Sequence, residues 1–362
     1  MTARRGVLAA GTFCVDFNKS IAQWPSEDTT NEVFEIDRQG GGSGFNMSMD
    51  LKRLDPAFPV EAMGVVGDDD FGLFLFAELG ARGVPHEGLV ALKGGATMSV
   101  DAFNNRQTGR RTHFYHQGVA REMSPDHFDF SRTSMRRLHL GLPGAHYAMD
   151  RAWGGEANGW AATLRKARAS GLKTNLEMMT ISAARLAEIG RPCLPHLDTV
   201  IVNDFEIGAL AGRQTRSADG ATDVSGVLAA IEAVLEQGPM QWAVAHFPDG
   251  AVAGARDGTR VLMGSVALPD GAIAGANGAG DAFASGVIYG LEHNWAIADS
   301  LRLAHAAAAA SLREVSTTGG VSSVKECLAL AEKYGMRPME GGSGATPPSL
   351  RSNSRQPPPT PG

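Results

Sequence analysis

Short runs of apolar residues recur along the chain in a pattern typical of buried β-strands. The first run, GVLAAGTFCVDF, covers residues 6–17, and VEAMGVVG follows at 60–67. Three more runs lie in the middle of the chain, at 138–143, 172–178 and 199–204. Runs of this length with few charges predict strands that are buried on both faces of a sheet.

Between these runs the apolar residues have the spacing of amphipathic helices. The spacing predicts helices at 44–54, 69–84, 155–169, 181–189 and 224–237. Strands that alternate with helices are typical of a parallel sheet with helices on both faces. We therefore predict an α/β fold with a mostly parallel central sheet flanked by helices.

Two segments break this alternation. Residues 15–40 and 97–117 are more polar, and the second contains MSVDAFNN and RRTHFYHQ around the turn RQTG. Alternating polar and apolar residues predict antiparallel hairpin strands with one face in water. These two segments are expected to form a small β-sheet lid beside the main sheet.

The end of the chain differs in composition from the rest. From residue 337 to 362 proline, glycine and serine dominate, and apolar side chains are almost absent. Such a segment cannot bury enough apolar surface to fold, so we predict a disordered tail. Residues 1–336 are predicted to form one folded domain, and they contain no internal repeat.

Composition narrows the possible functions. The 362 residues carry a formal net charge of −6, whereas nucleic-acid-binding domains are usually basic. No run reaches the roughly 18 apolar residues of a membrane helix. The three cysteines are widely spaced and form neither a disulfide framework nor a CxxC metal pair. These features predict a cytoplasmic protein whose apolar start is a first strand and not a signal peptide.

The segment GANGAGDAFASG, at 275–286, places a glycine-rich turn directly before a helical pattern. The first N–H groups of a helix have no partners within the helix, and they attract anions. Glycines allow a phosphate to approach, so Gly278, Ala279 and Gly280 can form an anion hole. Asp281 then has two possible roles. It can cap the helix, or it can act as a general base for an attacking alcohol.

Five segments in order resemble the ribokinase-like family, also called the PfkB carbohydrate kinases. GANGAGDAFASG resembles the C-terminal signature of that family, and GGSGFNMS at 41–48 resembles its N-terminal signature. The other three segments are VVGDDDFG at 65–72, VNDFEIGALAG at 202–212 and RLAHAAAAASL at 302–312. The resemblance extends over residues 6–330 and implies a ribokinase-like fold with a small β-sheet lid.

The resemblance also implies an activity, an ATP- and Mg²⁺-dependent transfer of phosphate to a hydroxymethyl group of a small sugar or sugar acid. It implies that Asp281 is the catalytic base beside an anion hole at Gly278, Ala279 and Gly280. The other positions that match site residues of the family are Asp16, Gly41, Gly42, Asn46 and Arg111 for the acceptor, Asn203 and Glu206 for magnesium and phosphates, and His305 for the nucleotide. Glu206 is the implied metal residue. Relatives often pair through the lid, which implies a homodimer.

Each of these positions also has a purely structural interpretation. Asp16 can end a strand, Asn46 can cap a helix, Glu206 can be a solvated helix residue, and His305 can be a packing residue. The three acidic residues at 68–70 suit a metal ion, but their position favours capping of the following helix.

The chain departs from the family pattern at two places. Gly275 and Ala276 stand where the family usually has Asp and Thr, and that Asp helps to build a monovalent-cation site in many members. Phe247 and Pro248 stand in a nucleotide-side loop where a glycine is common. We therefore expect weak potassium dependence, and the preference for a phosphate donor stays open.

Two other functions fit the same pattern. A nucleoside kinase of this family is one, because Phe103, Phe114 and Tyr115 in the lid can stack on a base. A non-catalytic sugar- or nucleotide-sensing homologue is the other, because the nucleotide loop is altered. A Rossmann dehydrogenase and a P-loop kinase are excluded, because the sequence has neither a complete GxGxxG nor a GxxxxGK[ST] motif.

Overall fold

The apolar runs form strands of two separate β-sheets in the computed structural model, which describes residues 4–339 except 109, 276, 315 and 317. The strands are β1 (Val7–Gly11), β2 (Cys14–Ile21), β3 (Val33–Gly41), β4 (Val60–Gly67), β5 (Gly88–Leu92), β6 (Met98–Asn105), β7 (Arg111–His116), β8 (Arg137–Gly141), β9 (Lys173–Leu176), β10 (Thr199–Asn203), β11 (Trp242–Phe247), β12 (Gly250–Gly254) and β13 (Arg260–Gly264). The α-helices are α1 (Ser43–Leu54), α2 (Asp70–Ala81), α3 (Gly159–Ala169), α4 (Ala183–Gly190), α5 (Asp204–Ala211), α6 (Val224–Leu235), α7 (Ala279–Glu292), α8 (Ile297–Ser311) and α9 (Val324–Tyr334).

The larger sheet has nine strands, in the order β13-β12-β11-β10-β9-β8-β1-β4-β5. Neighbouring strands from β11 to β5 are parallel. The strands β12 and β13 add an antiparallel edge. Parallel neighbours require long crossover connections, and the helices between the strands provide them. The predicted mostly parallel sheet is confirmed.

Helices cover both faces of the larger sheet, as successive residues of β1 illustrate. Val7 and Ala9 pack into a core with α1, α7, α8 and α9. Leu8 and Ala10 point the other way and pack into a second core with α3, α4, α5 and α6. All four side chains are fully buried. Because successive residues of a strand point to opposite faces, an unbroken apolar run satisfies both cores at once.

The first apolar run is divided between the two sheets. The prediction of a single strand over 6–17 is wrong, because β1 ends at Gly11 and β2 begins at Cys14. Gly11 has φ 104°, and a Cβ there would lie 1.8 Å from the carbonyl oxygen of Gly141. Only glycine fits this close approach. The hydrophobic pattern continues through the division because Phe13 is also buried.

The smaller sheet has the order β3-β2-β6-β7. Its β2–β3 and β6–β7 pairs are antiparallel hairpins, and the parallel pair β2–β6 joins them. The two predicted hairpin segments are therefore confirmed as one small sheet. Because β2 continues from the end of β1, this sheet lies at the carboxyl edge of the larger sheet.

The folded structure continues past the predicted boundary at residue 336. The backbone N–H of Arg337 donates to the carbonyl of Ser265 at 2.7 Å, and its guanidinium lies 3.1 Å from Asp249. Met339 packs against the second core. Residues 337–339 are thus part of the packed structure, and the rest of the predicted tail, 340–362, lies outside the described residues.

None of the helices within residues 4–339, as far as they are described, is long and apolar enough to cross a membrane. The three cysteines are free and buried.

Candidate active site

The candidate site lies at the carboxyl ends of the central strands, where open α/β sheets commonly bind ligands. Strands β1, β8, β9 and β10 all end at this edge of the sheet. Helices α1 and α7 begin beside these ends. Asn46 from α1 lies 2.9 Å from Asp281 of α7, although 235 positions separate the two residues in the sequence.

Helix α7 begins without a side-chain cap. Its N-cap residue, Gly278, has left-handed backbone angles and, as a glycine, has no side chain that could cap the first turn. The N–H groups of Ala279 and Gly280 therefore lack partners within the helix, and the helix dipole favours an anion beside them. The turn has the geometry that the predicted anion hole requires.

Asp281 is the third residue of α7, and its side chain does not cap the helix. Its Oδ2 accepts a hydrogen bond from Nδ2 of Asn46, and the side chain also lies within hydrogen-bonding reach of Glu177. Burial raises the pKa of Asp281 well above its ordinary value, and the charge of Glu177 raises it further. The capping interpretation is wrong, and the raised proton affinity suits a general base.

The start of α1 combines two glycines with Asn46. A Cβ at Gly41 would lie 2.2 Å from the Asp16 carboxylate, and a Cβ at Gly42 would lie 2.6 Å from the Thr12 carbonyl oxygen. Asn46 does not cap α1, so that interpretation is wrong. Its Oδ1 is buried and has no hydrogen-bond partner among the described residues. This side of the site therefore has bare backbone and an open acceptor atom.

Asp16 is an interior residue of β2, so the strand-end interpretation is wrong. Its Oδ1 accepts a hydrogen bond from Sγ of Cys14 at 3.2 Å. Burial raises the pKa of Asp16 to about 6, and the charge of Asp281 also raises it, whereas the charge of Arg111 lowers it. Arg111 is half-buried on β7, where its Nε donates to Oδ1 of Asn104 at 2.5 Å. Asp16, Asp281 and Arg111 thus belong to one electrostatic cluster.

A hydrogen bond connects the smaller sheet to the glycine-rich turn. Nδ2 of Asn277 donates to Oδ1 of Asn18 on β2 at 3.1 Å. Nδ2 of Asn18 is buried and has no partner in the described part of the chain. Asn18 therefore offers an open donor beside the turn, just as Asn46 offers an open acceptor beside Asp281.

Asn203 and Glu206 form a reciprocal cap at the start of α5. Oδ1 of Asn203 accepts from the N–H of Glu206 at 2.8 Å, and Oε2 of Glu206 accepts from the N–H of Asn203 at 3.0 Å. Oε1 of Glu206 accepts from the Thr180 hydroxyl at 2.8 Å. Burial raises the pKa of Glu206 to about 7. Glu206 is buried, so the solvated interpretation is wrong.

The described residues do not form a metal site built from protein side chains alone. Among the residues that the structure describes, no group of three or more His, Cys, Asp or Glu side chains is placed to hold one. Each oxygen of Glu206 already accepts a hydrogen bond, but a carboxylate oxygen has a second lone pair that can accept from water. The donor set therefore fits Mg²⁺ held through water.

A cavity of about 500 Å³ adjoins the first turn of α7. Ala279, Gly280 and Phe283 of α7 line it, together with His305 of α8. The ring of His305 packs against Phe283 at 5.0 Å between centroids, as the packing interpretation expects. Burial lowers the pKa of His305 to about 3, so the ring is neutral. Its buried Nε2 has no partner among the described residues, which leaves one polar atom for a ligand.

One of the two departures from the family pattern lines this cavity. Phe247 and Pro248 line it, and so do Asp249 and Arg337, which form an ion pair at 3.1 Å. The N–H of Gly275 donates to the carbonyl of Leu312 at 3.3 Å, while Ala276 lies outside the described residues. Since residue 275 has no carboxylate, weak potassium dependence stays a prediction.

The acidic triplet has a capping role. Oδ1 of Asp69 accepts from the N–H of Gly72 at 2.9 Å, which caps α2. Oδ1 of Asp68 accepts from the N–H of Gly94 at 2.7 Å. The predicted helix cap is confirmed.

The aromatic residues of the smaller sheet pack mainly on one another. Trp24 stacks on Phe114 at 5.9 Å between centroids, and Phe103 contacts both rings edge-on. Tyr115 is about half exposed. Since Phe103 and Phe114 already have aromatic partners, the observation behind a nucleoside acceptor is weakened.

Glu177 is a site residue that the sequence pattern did not identify. It directly follows β9, where its N–H donates to the carbonyl of Leu140 at 2.9 Å. Its carboxylate contacts Asp281 and accepts from His139 of β8 at 2.8 Å. Position was the available signal, because a charged residue directly after a buried parallel strand lies at the edge where ligands bind.

Comparison with known proteins agrees with this geometry. The sequence profile of pfkB family carbohydrate kinases matches residues 6–323. The uncharacterized sugar kinase YeiI of Escherichia coli is 26% identical over 332 residues, which cover 91% of this chain and 84% of the relative. The 5-dehydro-2-deoxygluconokinase of Shouchella clausii is 23% identical over 333 residues, which cover 90% of this chain and 95% of the relative.

A solved structure identifies the fold. The ribokinase of Arabidopsis thaliana, complexed with ribose and ATP, superposes with a TM-score of 0.72 at 16% identity, covering 90% of this chain and 98% of the ribokinase. The two sheets and their flanking helices are therefore a ribokinase-like fold. Since the family profile spans most of the sequence, the chain belongs to the pfkB family of carbohydrate kinases, which are phosphotransferases with an alcohol group as acceptor.

Proposed function

We propose that the protein transfers the γ-phosphoryl group of ATP to a hydroxymethyl group of a small sugar or sugar acid, with Asp281 as the general base. The position of Asp281 supports this most strongly. Its carboxylate contacts Asn46, while its backbone belongs to the uncapped first turn of α7 that borders the 500 Å³ cavity. A base at this point meets both the acceptor hydroxyl and the bound phosphates.

The acceptor binds among Asp16, Gly41, Gly42 and Asn46, with Arg111 contributing from the lid. Asp16 accepts hydrogen bonds from sugar hydroxyls, and the open Oδ1 of Asn46 accepts another. Glycine at both positions leaves room for the Asp16 carboxylate and the Thr12 carbonyl group, because a Cβ there would collide with them. These contacts favour a small polyhydroxy compound.

ATP occupies the cavity beside α7. The N–H groups of Ala279 and Gly280, with the turn at Gly278, receive a phosphate. The adenine ring of ATP packs beside Phe283, where the unpartnered Nε2 of His305 is available for a hydrogen bond. A volume of about 500 Å³ is within the range of ligand pockets.

Glu206 and Asn203, at the end of β10, would hold Mg²⁺. Bound there, Mg²⁺ would neutralise charge on the phosphates. The protein contributes the fixed orientation of the Glu206 carboxylate, which the N–H of Asn203 and the hydroxyl of Thr180 determine.

Proton transfer and phosphoryl transfer are linked at Asp281. The carboxylate takes the hydroxyl proton while the acceptor oxygen bonds to the γ-phosphorus and the bond to ADP breaks. The uncapped N–H groups of α7 stabilise the charge on the transferred group. The lid excludes water, which would otherwise accept the phosphoryl group. The bond from Asn277 to Asn18 couples the lid to the phosphate-binding turn.

The lid also offers a surface for a homodimer. Ile36 and Phe114 are 62% and 53% exposed on strands of the smaller sheet. Large exposed apolar side chains on one sheet commonly mark a protein–protein contact. Sedimentation velocity measures the mass in solution, and a monomer at all protein concentrations would contradict pairing through the lid.

An acceptor screen tests the proposed reaction. Release of ADP from MgATP is measured with pentoses, hexoses, keto-deoxy sugar acids and nucleosides, and Asp281→Asn controls for contaminating kinases. We expect a sugar or sugar acid to stimulate ADP release, with a phosphate ester on its hydroxymethyl carbon. Preference for a nucleoside would establish the nucleoside-kinase alternative. ATP binding without turnover of any acceptor would favour a sensing homologue.

A further inference from the structure

A row of hydrogen-bonded polar side chains is buried between the larger sheet and helix α7. Most of that interface is apolar, so polar groups there require partners. The members lie on three adjacent parallel strands, β8, β9 and β10, or directly after β9. We name them the polar row: Arg137, Thr199, Asn175, His139 and Glu177.

Each member of the polar row donates to the next, and the last acceptor, Glu177, lies at the candidate active site. Nη1 of Arg137 donates to Thr199 Oγ1 at 3.1 Å, and that hydroxyl donates to Asn175 Oδ1 at 3.2 Å. Nδ2 of Asn175 donates to Nδ1 of His139 at 3.0 Å, and Nε2 of His139 donates to Oε2 of Glu177 at 2.8 Å. Hydrogen bonds aligned head to tail polarise and strengthen one another.

The two ends of the polar row meet the two ends of α7. At the far end, Nε of Arg137 donates to Oε1 of Glu292, the last residue of α7, at 2.9 Å in a buried ion pair. At the near end, Glu177 contacts Asp281 in the first turn. The row therefore has a neutralised cation at one end and a carboxylate beside the proposed base at the other.

The row also specifies the state of His139. The ring is fully buried, and burial lowers its pKa to about 4, so it is neutral near pH 7. Because Asn175 donates to Nδ1, the single ring proton lies on Nε2, where it is donated to Glu177. This arrangement stabilises Glu177 as a carboxylate.

We propose that Glu177 is a charge partner of Asp281 and that His139 and Asn175 are positioning residues that hold its carboxylate there. This inference rests on the proposed function, since it assigns a role to groups around the proposed base. It adds a second carboxyl group to the proton-accepting site.

The pair acts through repulsion before proton transfer and through a hydrogen bond after it. Two neighbouring carboxylates cannot both ionise easily, so Glu177 raises the proton affinity of Asp281. When Asp281 takes the proton of the acceptor hydroxyl, its new O–H donates to the Glu177 carboxylate. The proton stays on Asp281, and the negative charge stays on Glu177.

Other ionisable groups face the pair from the surrounding elements. Burial raises the pKa of Glu177 to about 7; the contact with Asp281 lowers this pKa, and the charge of Glu206 on α5 raises it. Asp16 of β2 and Asp50 of α1 both interact electrostatically with Asp281. Since these groups are unchanged in variants of Glu177 and His139, a comparison among those variants isolates the polar row.

The pH dependence of kcat/KM tests the pairing. The acid limb is the part of the pH profile where kcat/KM falls at low pH because Asp281 becomes protonated. Glu177→Gln keeps the shape of the side chain but removes its charge, so the midpoint of the acid limb moves down by about one pH unit or more. The kcat falls about tenfold because Asp281 is then a weaker base. Glu177→Asp keeps the charge, so its acid limb stays near that of the parent. An unchanged limb in a folded, active Glu177→Gln protein would overturn the proposal.

Loss of the hydrogen bond from His139 shifts the acid limb of kcat/KM in the opposite direction to Glu177→Gln. His139→Leu removes the donor to Glu177, which raises the pKa of Glu177 and moves the limb upward. His139→Gln retains a donor and restores the parent limb. His146 is a matched control, because it is equally buried but bonds to Thr12 and Ala120 instead. His146→Leu loses stability without moving the limb, whereas equal shifts in His139→Leu and His146→Leu would mean a general packing effect and reject the positioning role.

A second measurement separates this inference from the proposed function. In protein labelled with ¹³C at the Asp and Glu carboxyl carbons, NMR follows Asp281 and Glu177 without any turnover. We expect coupled titration in the parent and a single transition for Asp281, at lower pH, in Glu177→Gln. Independent titration in the parent would overturn the inference even if the kinase activity is established. If Asp281 and Glu177 titrate as a coupled pair but the screen finds no phosphate acceptor, the inference stands and the proposed reaction fails.

Discussion

Two helices at the candidate site begin in opposite ways, although each has an acidic residue at its third position. Helix α5 has Asn203 as its N-cap, and Glu206 turns back to close a reciprocal cap. Helix α7 has Gly278 as its N-cap and no side-chain cap, and Asp281 turns away towards Asn46. An acidic residue in the first turn does not by itself indicate a cap.

The difference determines what each helix start can bind. In α5 the side chains of Asn203 and Glu206 cap the helix start, and this cap holds the Glu206 carboxylate in a fixed orientation. In α7 the N–H groups stay free for an anion, and the carboxylate is free to accept a proton. Glycine at the N-cap makes this possible, since it has no side chain that competes with the ligand.

Asp281→Asn is the largest expected break in this comparison. The amide cannot take the proton of the acceptor hydroxyl group, so kcat falls by a factor of about 10²–10⁴. Because Asp281 caps nothing and Asn removes a buried carboxyl group whose pKa is raised, the midpoint of thermal unfolding near pH 7 does not fall below that of the parent. Steady-state kinetics and a thermal melt measure the two effects. A kcat within threefold of the parent would reject the general-base role.

Substitutions at Gly278 test whether the uncapped start of α7 binds the phosphates of ATP. Asn and Asp both tolerate a left-handed backbone and have similar volumes, so Gly278→Asn is the matched control for Gly278→Asp. The added negative charge costs about 1–2 kcal/mol for an anion at a partly buried helix start, or about tenfold in ATP affinity. Isothermal titration with ATP measures the difference. Equal affinities in the two variants would mean that the phosphates bind elsewhere.

The smallest expected effect is on the pH dependence of stability and concerns Glu206 in the reciprocal cap of α5. The raised pKa of Glu206 means that the folded protein holds a proton that the unfolded chain loses, so this contribution to stability disappears as the pH rises through about 7. Gln also fits the cap but does not titrate. From pH 6.5 to 8 the parent should therefore lose less than about 1 kcal/mol relative to Glu206→Gln.

Urea unfolding of both proteins at each pH measures this difference. The buried histidines titrate equally in the parent and the variant, so their contribution cancels. A difference that is constant across the range would mean that Glu206 ionises in the folded protein as it does in the unfolded chain.

Much of the site was predictable because it is encoded locally. The glycine-rich turn before Asp281 and the pair Gly41 and Gly42 before α1 are continuous segments. Asn203 was placed correctly at the end of a strand, yet its reciprocal cap with Glu206 was not foreseen. Capping was correctly predicted at Asp69 and wrongly considered for Asp281, because the pattern does not reveal which way a carboxylate turns.

The sequence by itself determined the alternation of strands and helices, the polar segments of the smaller sheet and the glycine-rich turn before α7, since each depends on neighbouring residues. Only the tertiary structure decided the division of the first run at Thr12 and the meeting of His139, Asn175 and Glu177 beside Asp281. Those side chains meet because β8, β9 and β10 are adjacent and in register. Strand order and register arise from the packing of whole helices on the sheet, which no single segment specifies.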